Sequence, residues 1–356
     1  MRRLPTGALG AALLALALLL LVAAPASARP TAGAQDDDGP TGRALVVKVS
    51  GLLDPVLVDF VSRSIVQAEE EDAVALTLQL NSGGATVPQE QITALTEQMQ
   101  SADVPVAVWV GPSGSKALDE AAQLVYAAAD SGVAPGTTVT APDGRDLDDE
   151  EAVDEGVVDR AAPTIGLFNV ELDGFQSRVV DGEDGRPTRE PVTPTVFSQL
   201  PLPSQLAHTM ASPAVAYLLF VIGMALILFE FFTAGVGIAG IVGAAFFIGG
   251  CYGLAVLPAN AWAVALLVFS MFAFAVDIQT GVPRFWTAVA LVAYVVGTLQ
   301  LYDGLHLSWI TLGVSFLGMA VAMIAGMPAM VRTRFATPTI GREWMIGEMG
   351  EAVAAV

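Results

Sequence analysis

Cysteine occurs once in the 356 residues, at Cys251, which rules out an intrachain disulfide. Histidine occurs twice, as His208 and His306, and lysine twice, as Lys48 and Lys116. The stretch before the apolar C-terminal half, residues 44–180, therefore holds neither histidine nor cysteine. A Ser-His-Asp triad or a cysteine nucleophile cannot be assembled there. Charge is also scarce: 15% of residues are charged, 54% are hydrophobic, and the mean hydropathy is +0.60. That is too apolar for an ordinary soluble domain and points to membrane segments. The charge present is lopsided, because residues 29–212 carry 30 acidic and 10 basic side chains, the whole of the formal charge of −20. So acidic a part repels phosphate backbones and excludes nucleic acid as a partner. Asp146, Asp148, Asp149, Glu150 and Glu151 fit no EF-hand spacing and read as a solvated helix start, so neither a metal nor a cofactor is expected.

The chain is organised in six blocks, the last a tail over 332–356. Residues 1–28 read as a signal peptide, with Arg2 and Arg3, an apolar run, and Ala26-Ser27-Ala28 as a small-residue cleavage site. An uncleaved anchor is the alternative. A polar linker over 29–43 follows. From Ala44 to residue 180, apolar runs alternate with amphipathic stretches: "ALVVKVSG", "DPVLVDFVSRSIVQAEE", "AVALTLQL" and "VPVAVWV". Strand and helix alternating at this spacing predict βαβ units and a mainly parallel sheet. Asp54-Pro55 is an N-cap followed by proline at the first helical position. "GPSGSKALDE" is expected to run straight into a helix over "KALDEAAQLVYAAA". Residues 181–212 read as a proline-rich linker, with "VFSQLPLPSQLAHTM" lying along the membrane surface before the first span. Residues 213–331 form a membrane domain with about five spans, near 214–232, 236–257, 260–278, 285–302 and 308–330. Four spans, with 214–257 forming a re-entrant pair, is the competing count. Arg284, Arg332, Arg334 and Arg342 then fall on the cytoplasmic side, giving an extracytoplasmic N-terminal domain and a cytoplasmic C-terminus.

Asn81-Ser-Gly-Gly84 after the second strand has the form of a backbone oxyanion hole, where glycines let N–H groups approach a tetrahedral intermediate. "VSGLLDP", "LTLQLNSGGATV", "VPVAVWVGPSGSKA", "VAPGTTVTA" and "DEGVVDRAAP" occur, in that order, as in the NfeD family, membrane-bound relatives of ClpP-class serine proteases. "SPAVAYLLFVIGMALILFEFFTAGVGIAGIVG" resembles that family's first two spans. Residues 332–356 are similar to the start of its C-terminal OB-fold, a barrel expected to be absent or truncated here.

The resemblance implies an α/β spiral of ClpP/crotonase type and, in active members, a Ser-Lys dyad. It also implies Gly83 and Gly84 as oxyanion-type donors, a stomatin-like membrane protein as partner, and homo-oligomers. Carried over residue by residue, Pro112, Ser113, Gly114 and Lys116 match the family's turn, and the nucleophile position falls on Asp119, followed by Glu120. The position of the general-base lysine has no lysine. Ser113 and Lys116 have an S-x-x-K spacing that brings hydroxyl and amine together on a helical turn, with Ser115 as a further hydroxyl. The expected function is a catalytically degenerate, membrane-anchored pseudo-protease acting as a scaffold in membrane protein quality control or organisation. An active Ser-Lys protease cleaving apolar segments of membrane proteins is the alternative.

Overall fold

The computed structural model describes residues 42–181, 187–233, 237–280 and 282–334. The expected signal peptide, most of the 29–43 linker and nearly all of the 332–356 tail lie outside them. Strand β1 (Ala44–Ser50), helix α1 (Pro55–Glu70), β2 (Ala75–Asn81), α2 (Gln89–Ser101) and β3 (Val106–Val110) follow the alternation expected from the sequence. Asp54 caps α1 by accepting the Leu57 N–H at 2.8 Å, and Pro55 opens the helix where its missing N–H costs nothing.

Beyond β3 come β4 (Lys116–Ala117), a single 3₁₀ turn (Asp119–Ala121), α3 (Ala122–Ala127), β5 (Asp130–Val133), β6 (Thr138–Thr140) and β7 (Asp146–Asp148). α4 (Asp149–Asp154), β8 (Arg160–Ala161) and α5 (Ile165–Val170) complete this part. The expected helix at Lys116 is thus replaced by a two-residue strand paired in parallel with β6, and helical geometry starts at Asp119.

The proline-rich stretch 181–212 carries ordered elements instead of a plain linker. β9 (Ser177–Asp181) and β10 (Pro187–Pro191) form an antiparallel pair. β11 (Thr195–Ser198) pairs with β1, and α6 (Leu202–Met210) follows. The main sheet has the order β11-β1-β2-β3-β5-β8 with every pair parallel, and β4-β6-β7 form a small second sheet. Prolines flank β11 but do not fall within it, so its ladder to β1 survives.

Both faces of the main sheet are covered, which is why its central strand β3 is buried at all five positions. One face packs Leu76, Leu78, Leu80, Val106 and Val108 against Leu57, Ile65 and Leu95. The other carries small residues, Ala44, Ala75 and Ala107, beneath Trp109 and Phe168. The Trp109 indole N–H donates to the Ala162 carbonyl at 2.8 Å, so this ring is anchored at its polar end.

Helices α7 (Pro213–Phe232), α8 (Ile238–Val256) and α9 (Ala261–Thr280) are 20, 19 and 20 residues long, and each is apolar enough to span. A fourth candidate, Trp309–Arg332, runs for 24 residues through α11 (Trp309–Ala320), a π-helical stretch (Val321–Gly326) and the start of α12 (Met327–Arg334). α10 (Phe285–Leu299) has 15 residues. At 1.5 Å per residue it measures about 22 Å, short of a ~30 Å hydrocarbon core. Of the five segments expected to cross, four have spanning length.

The small residues of α7 and α8 bring backbones together: a Cβ added at Gly250 would lie 2.4 Å from the Phe220 N, and one at Gly223 would lie 2.4 Å from the Phe247 N. Between the helices, the buried Tyr217 hydroxyl meets Tyr294 at 2.8 Å, Thr298 at 3.1 Å and Ser315 at 2.6 Å, tying α7 to α10 and α11.

Candidate functional site

Two turns meet at the C-terminal ends of β2 and β3, the edge where parallel α/β sheets place their ligands. They are stitched together by backbone bonds. Ser82 N–H donates to the Lys116 carbonyl at 2.7 Å, and Leu118 N–H to the Ser82 carbonyl at 3.1 Å. Lys116 N–H donates to Asn81 Oδ1 at 3.1 Å. Asn81 and Ser82 thus build a turn pinned to β4.

Gly84 has φ +128°, a conformation that excludes a side chain, and Asp119, expected from the sequence to stand at the nucleophile position, has φ +49°. A left-handed non-glycine residue at the head of a helical segment is a sharp, strained turn of the kind that presents a nucleophile. Here the residue presented is a carboxylate. Asp119 N–H donates to Thr140 Oγ1 at 3.1 Å, and that hydroxyl donates to Asp146 Oδ1 at 2.6 Å, so β6 and β7 brace the turn.

The environment of the glycine turn is anionic. A Cβ placed on Gly84 would lie 3.4 Å from Glu120 Oε2 and 3.9 Å from Asp119 Oδ2. Glu120 Oε2 accepts the Ala85 N–H at 3.3 Å, so the neighbouring carboxylate takes a backbone donor of this turn. Ser82 Oγ donates to the Gly84 carbonyl at 2.9 Å and lies 3.4 Å from the Gly84 nitrogen, which turns that amide toward the protein. Gly83 borders open space instead. Two carboxylates next to the turn repel a developing oxyanion, the opposite of what acyl transfer needs.

The remaining expected residues are dispersed. Ser113 is exposed, Ser115 is buried at 3%, and Lys116 is exposed on β4. The strand geometry of β4 removes the helical turn that an S-x-x-K pair relies on. Among the described residues, no group of three or more His, Cys, Asp or Glu side chains is placed to hold a metal ion.

His208 enters the site from a part of the chain that the sequence reading treated as linker. Its Nδ1 lies 2.9 Å from Asp54 Oδ2, and its Nε2 lies 2.8 Å from the Ser50 carbonyl oxygen. Both partners are acceptors, an arrangement that favours the doubly protonated ring. The hydrogen bond from Asp54 is the largest cause of a His208 pKa raised above its ordinary value, offset in part by burial. His208, Ala211, Ser212 and Pro213 form one wall of a cavity of about 410 Å³, and Ser50, Gly51, Leu52, Asn81 and Gly83 form the other. The groove beside the glycine turn thus opens at the start of the first membrane helix. The one signal available in the sequence was the acidic N-cap Asp54 and a lone histidine just ahead of a span.

Residues 214–329 match the NfeD integral membrane domain. Over 370 aligned residues, 86% of this chain and 82% of the relative, the chain is 22% identical to the membrane-bound protease PH1510 of Pyrococcus horikoshii. Among solved structures it is similar to 1510-N from Pyrococcus horikoshii, described as a membrane protease specific for a stomatin homolog. That likeness has 19% identity and a TM-score of 0.38, and covers 46% of this chain and 96% of the other. ClpP1 from Listeria monocytogenes is 15% identical with a TM-score of 0.29, over 33% of this chain and 91% of its own.

Proposed function

Starting from a membrane protein that carries an NfeD integral membrane domain, we propose that its α/β part is a ClpP-like pseudo-protease that binds and organises other membrane proteins without cutting them. The observation that carries this reading is the carboxylate pair Asp119 and Glu120 against the Gly84-Ala85 turn. A serine nucleophile needs a hydroxyl at the strained position and free donors for the oxyanion. This chain offers Asp119 in the first role and gives the Ala85 N–H to Glu120. The α/β part is extracytoplasmic; a cytoplasmic C-terminus, which the basic residues after the last span favour, requires the shorter α10 to cross as well.

A stomatin-like membrane protein is the proposed partner, since the Pyrococcus relative is a protease specific for a stomatin homolog. Assembly with further copies of the chain is part of the same proposal. The second reading, a Ser-Lys protease built on Ser113 and Lys116, is favoured by the 22% identity to a membrane-bound protease.

One experiment separates them. Crosslinking and mass spectrometry in native membranes should recover a stomatin-like protein and a second copy of the chain. Peptides from the apolar segment of that partner should come back intact from the purified chain. Cleavage abolished by Lys116→Ala would establish the protease reading instead, and a monomer with no such neighbour would remove the scaffold.

A further inference from the structure

Helix α6 has its polarity reversed. His208 faces the α/β part through Asp54 and Ser50, and the Gln205 side chain donates to the Leu200 carbonyl at 2.7 Å. Its leucines point the other way: Leu202 is 74% exposed and Leu206 65%. These two lie four apart and share one helix face. Phe197, on the adjoining edge strand β11, is 61% exposed. A helix bordering water places polar groups outward, so a helix that hides its histidine and shows its leucines borders something apolar.

Two features identify the neighbour as lipid. First, α6 ends at Met210 and α7 begins at Pro213, so two residues, about 7 Å of extended chain, separate this face from a spanning helix. Met210 also packs on α8, where a Cβ added to Gly249 would lie 2.9 Å from its sulfur. Second, no Asp, Glu, Lys or Arg occurs between Glu190 and Glu230. The span accounts for only part of this charge-free stretch, which continues back through α6 and β11 into the acidic α/β part.

We propose that Phe197, Leu202 and Leu206 form a membrane-contact surface that beds in the headgroup–acyl boundary of the bilayer crossed by α7. Contact of this kind rests on buried apolar area. With no basic residue on the helix besides His208, it needs no anionic lipid. The surface fixes the groove lined by Asn81, Gly83 and Pro213 at the bilayer, so what enters that groove is a segment lying at the membrane boundary. This holds whether or not the groove cuts its occupant.

The test uses the full chain with Cys251→Ser, reconstituted in phosphatidylcholine nanodiscs. Nitroxide labels are placed in turn on Leu202→Cys, Leu206→Cys, Val66→Cys (43% exposed, on α1) and Phe272→Cys (68% exposed, on spanning helix α9). Collision with oxygen, which partitions into lipid, is compared with collision with a water-soluble nickel chelate. The labels at 202 and 206 should show an oxygen-to-nickel ratio between those at 66 and 272, unchanged in high salt. A ratio equal to that at 66 would overturn the proposal. So would protection from both probes, or dipolar broadening that disappears on dilution with unlabelled chain, since either would place a protein surface there.

Discussion

Replacing His208 by Gln removes an imidazolium from between two acceptors and leaves Asp54, whose side chain is 1% exposed, with only its cap bond to the Leu57 N–H. A hydrogen bond to a charged group contributes about 1.5–3 kcal/mol. Breaking a fully buried pair from one side costs about 3–5 kcal/mol. The His208 side chain is 19% exposed, so water restores part of what the carboxylate loses, and a cost of about 2 kcal/mol follows. Its dependence on pH has a definite sign. The folded protein holds the His208 proton more tightly than the unfolded chain does. The stabilisation is therefore complete below the unfolded value of about 6.5 and is lost as pH rises through the raised folded value.

Hydrogen–deuterium exchange of peptides covering β1 and the start of α1 reads the local opening. At pH 6 the variant should exchange ~30-fold faster than the parent, which is about 2 kcal/mol at 1.4 kcal/mol per decade. The ratio should shrink steadily toward alkaline pH. In a His306→Gln background His208 is the sole histidine, so its titration can be followed by NMR, and Asp54→Asn should lower its midpoint. A ratio constant from about pH 6 to about pH 9, or one that grows with pH, would exclude a charged His208–Asp54 pair as the source of the stabilisation.

Other expectations follow from the same geometry. Gly250→Ala, whose Cβ would fall 2.4 Å from the Phe220 backbone N, should separate α7 from α8 and lower the midpoint of unfolding in mixed micelles, at a cost of about 1–3 kcal/mol. Gly313→Ala, exposed on α11 with nothing within 4 Å, should be neutral or stabilising by up to about 1 kcal/mol in the same assay. Tyr217→Phe removes the hydroxyl shared by Tyr294, Thr298 and Ser315 and should cost about 1–2 kcal/mol, measured by the same micelle titration. Glu120→Ala should speed exchange of the Ala85 amide, while Glu120→Gln, which keeps an acceptor, should not.

What the sequence made legible was local. Asp54-Pro55 announced the start of α1 because an N-cap and a first-turn proline act on their own neighbours. The all-apolar "VAVWV" announced a central parallel strand because it is covered on both faces. The resemblance to NfeD proteins is borne out over the membrane part by the domain match over 214–329.

The misses were long-range or too short to have a period. His208 meets Asp54 across 154 residues, and no pattern near either residue encodes that. Lys116 and Ala117 form a strand only because Ser82 and Thr138 lie beside them, and two residues cannot show alternation. β11 hid among prolines at 191, 194 and 201, which disfavour strands but happen to flank it. The resemblance pointed to Asp119 as the nucleophile position, while its left-handed backbone and the Glu120 contact to Ala85 emerged only in three dimensions.

The proposal that the turn of Asp119 does not acylate can be tested on the full chain. Intact-mass measurement after exposure to a fluorophosphonate serine probe should give an unchanged mass. A single adduct that disappears in Ser113→Ala or Ser115→Ala would contradict it.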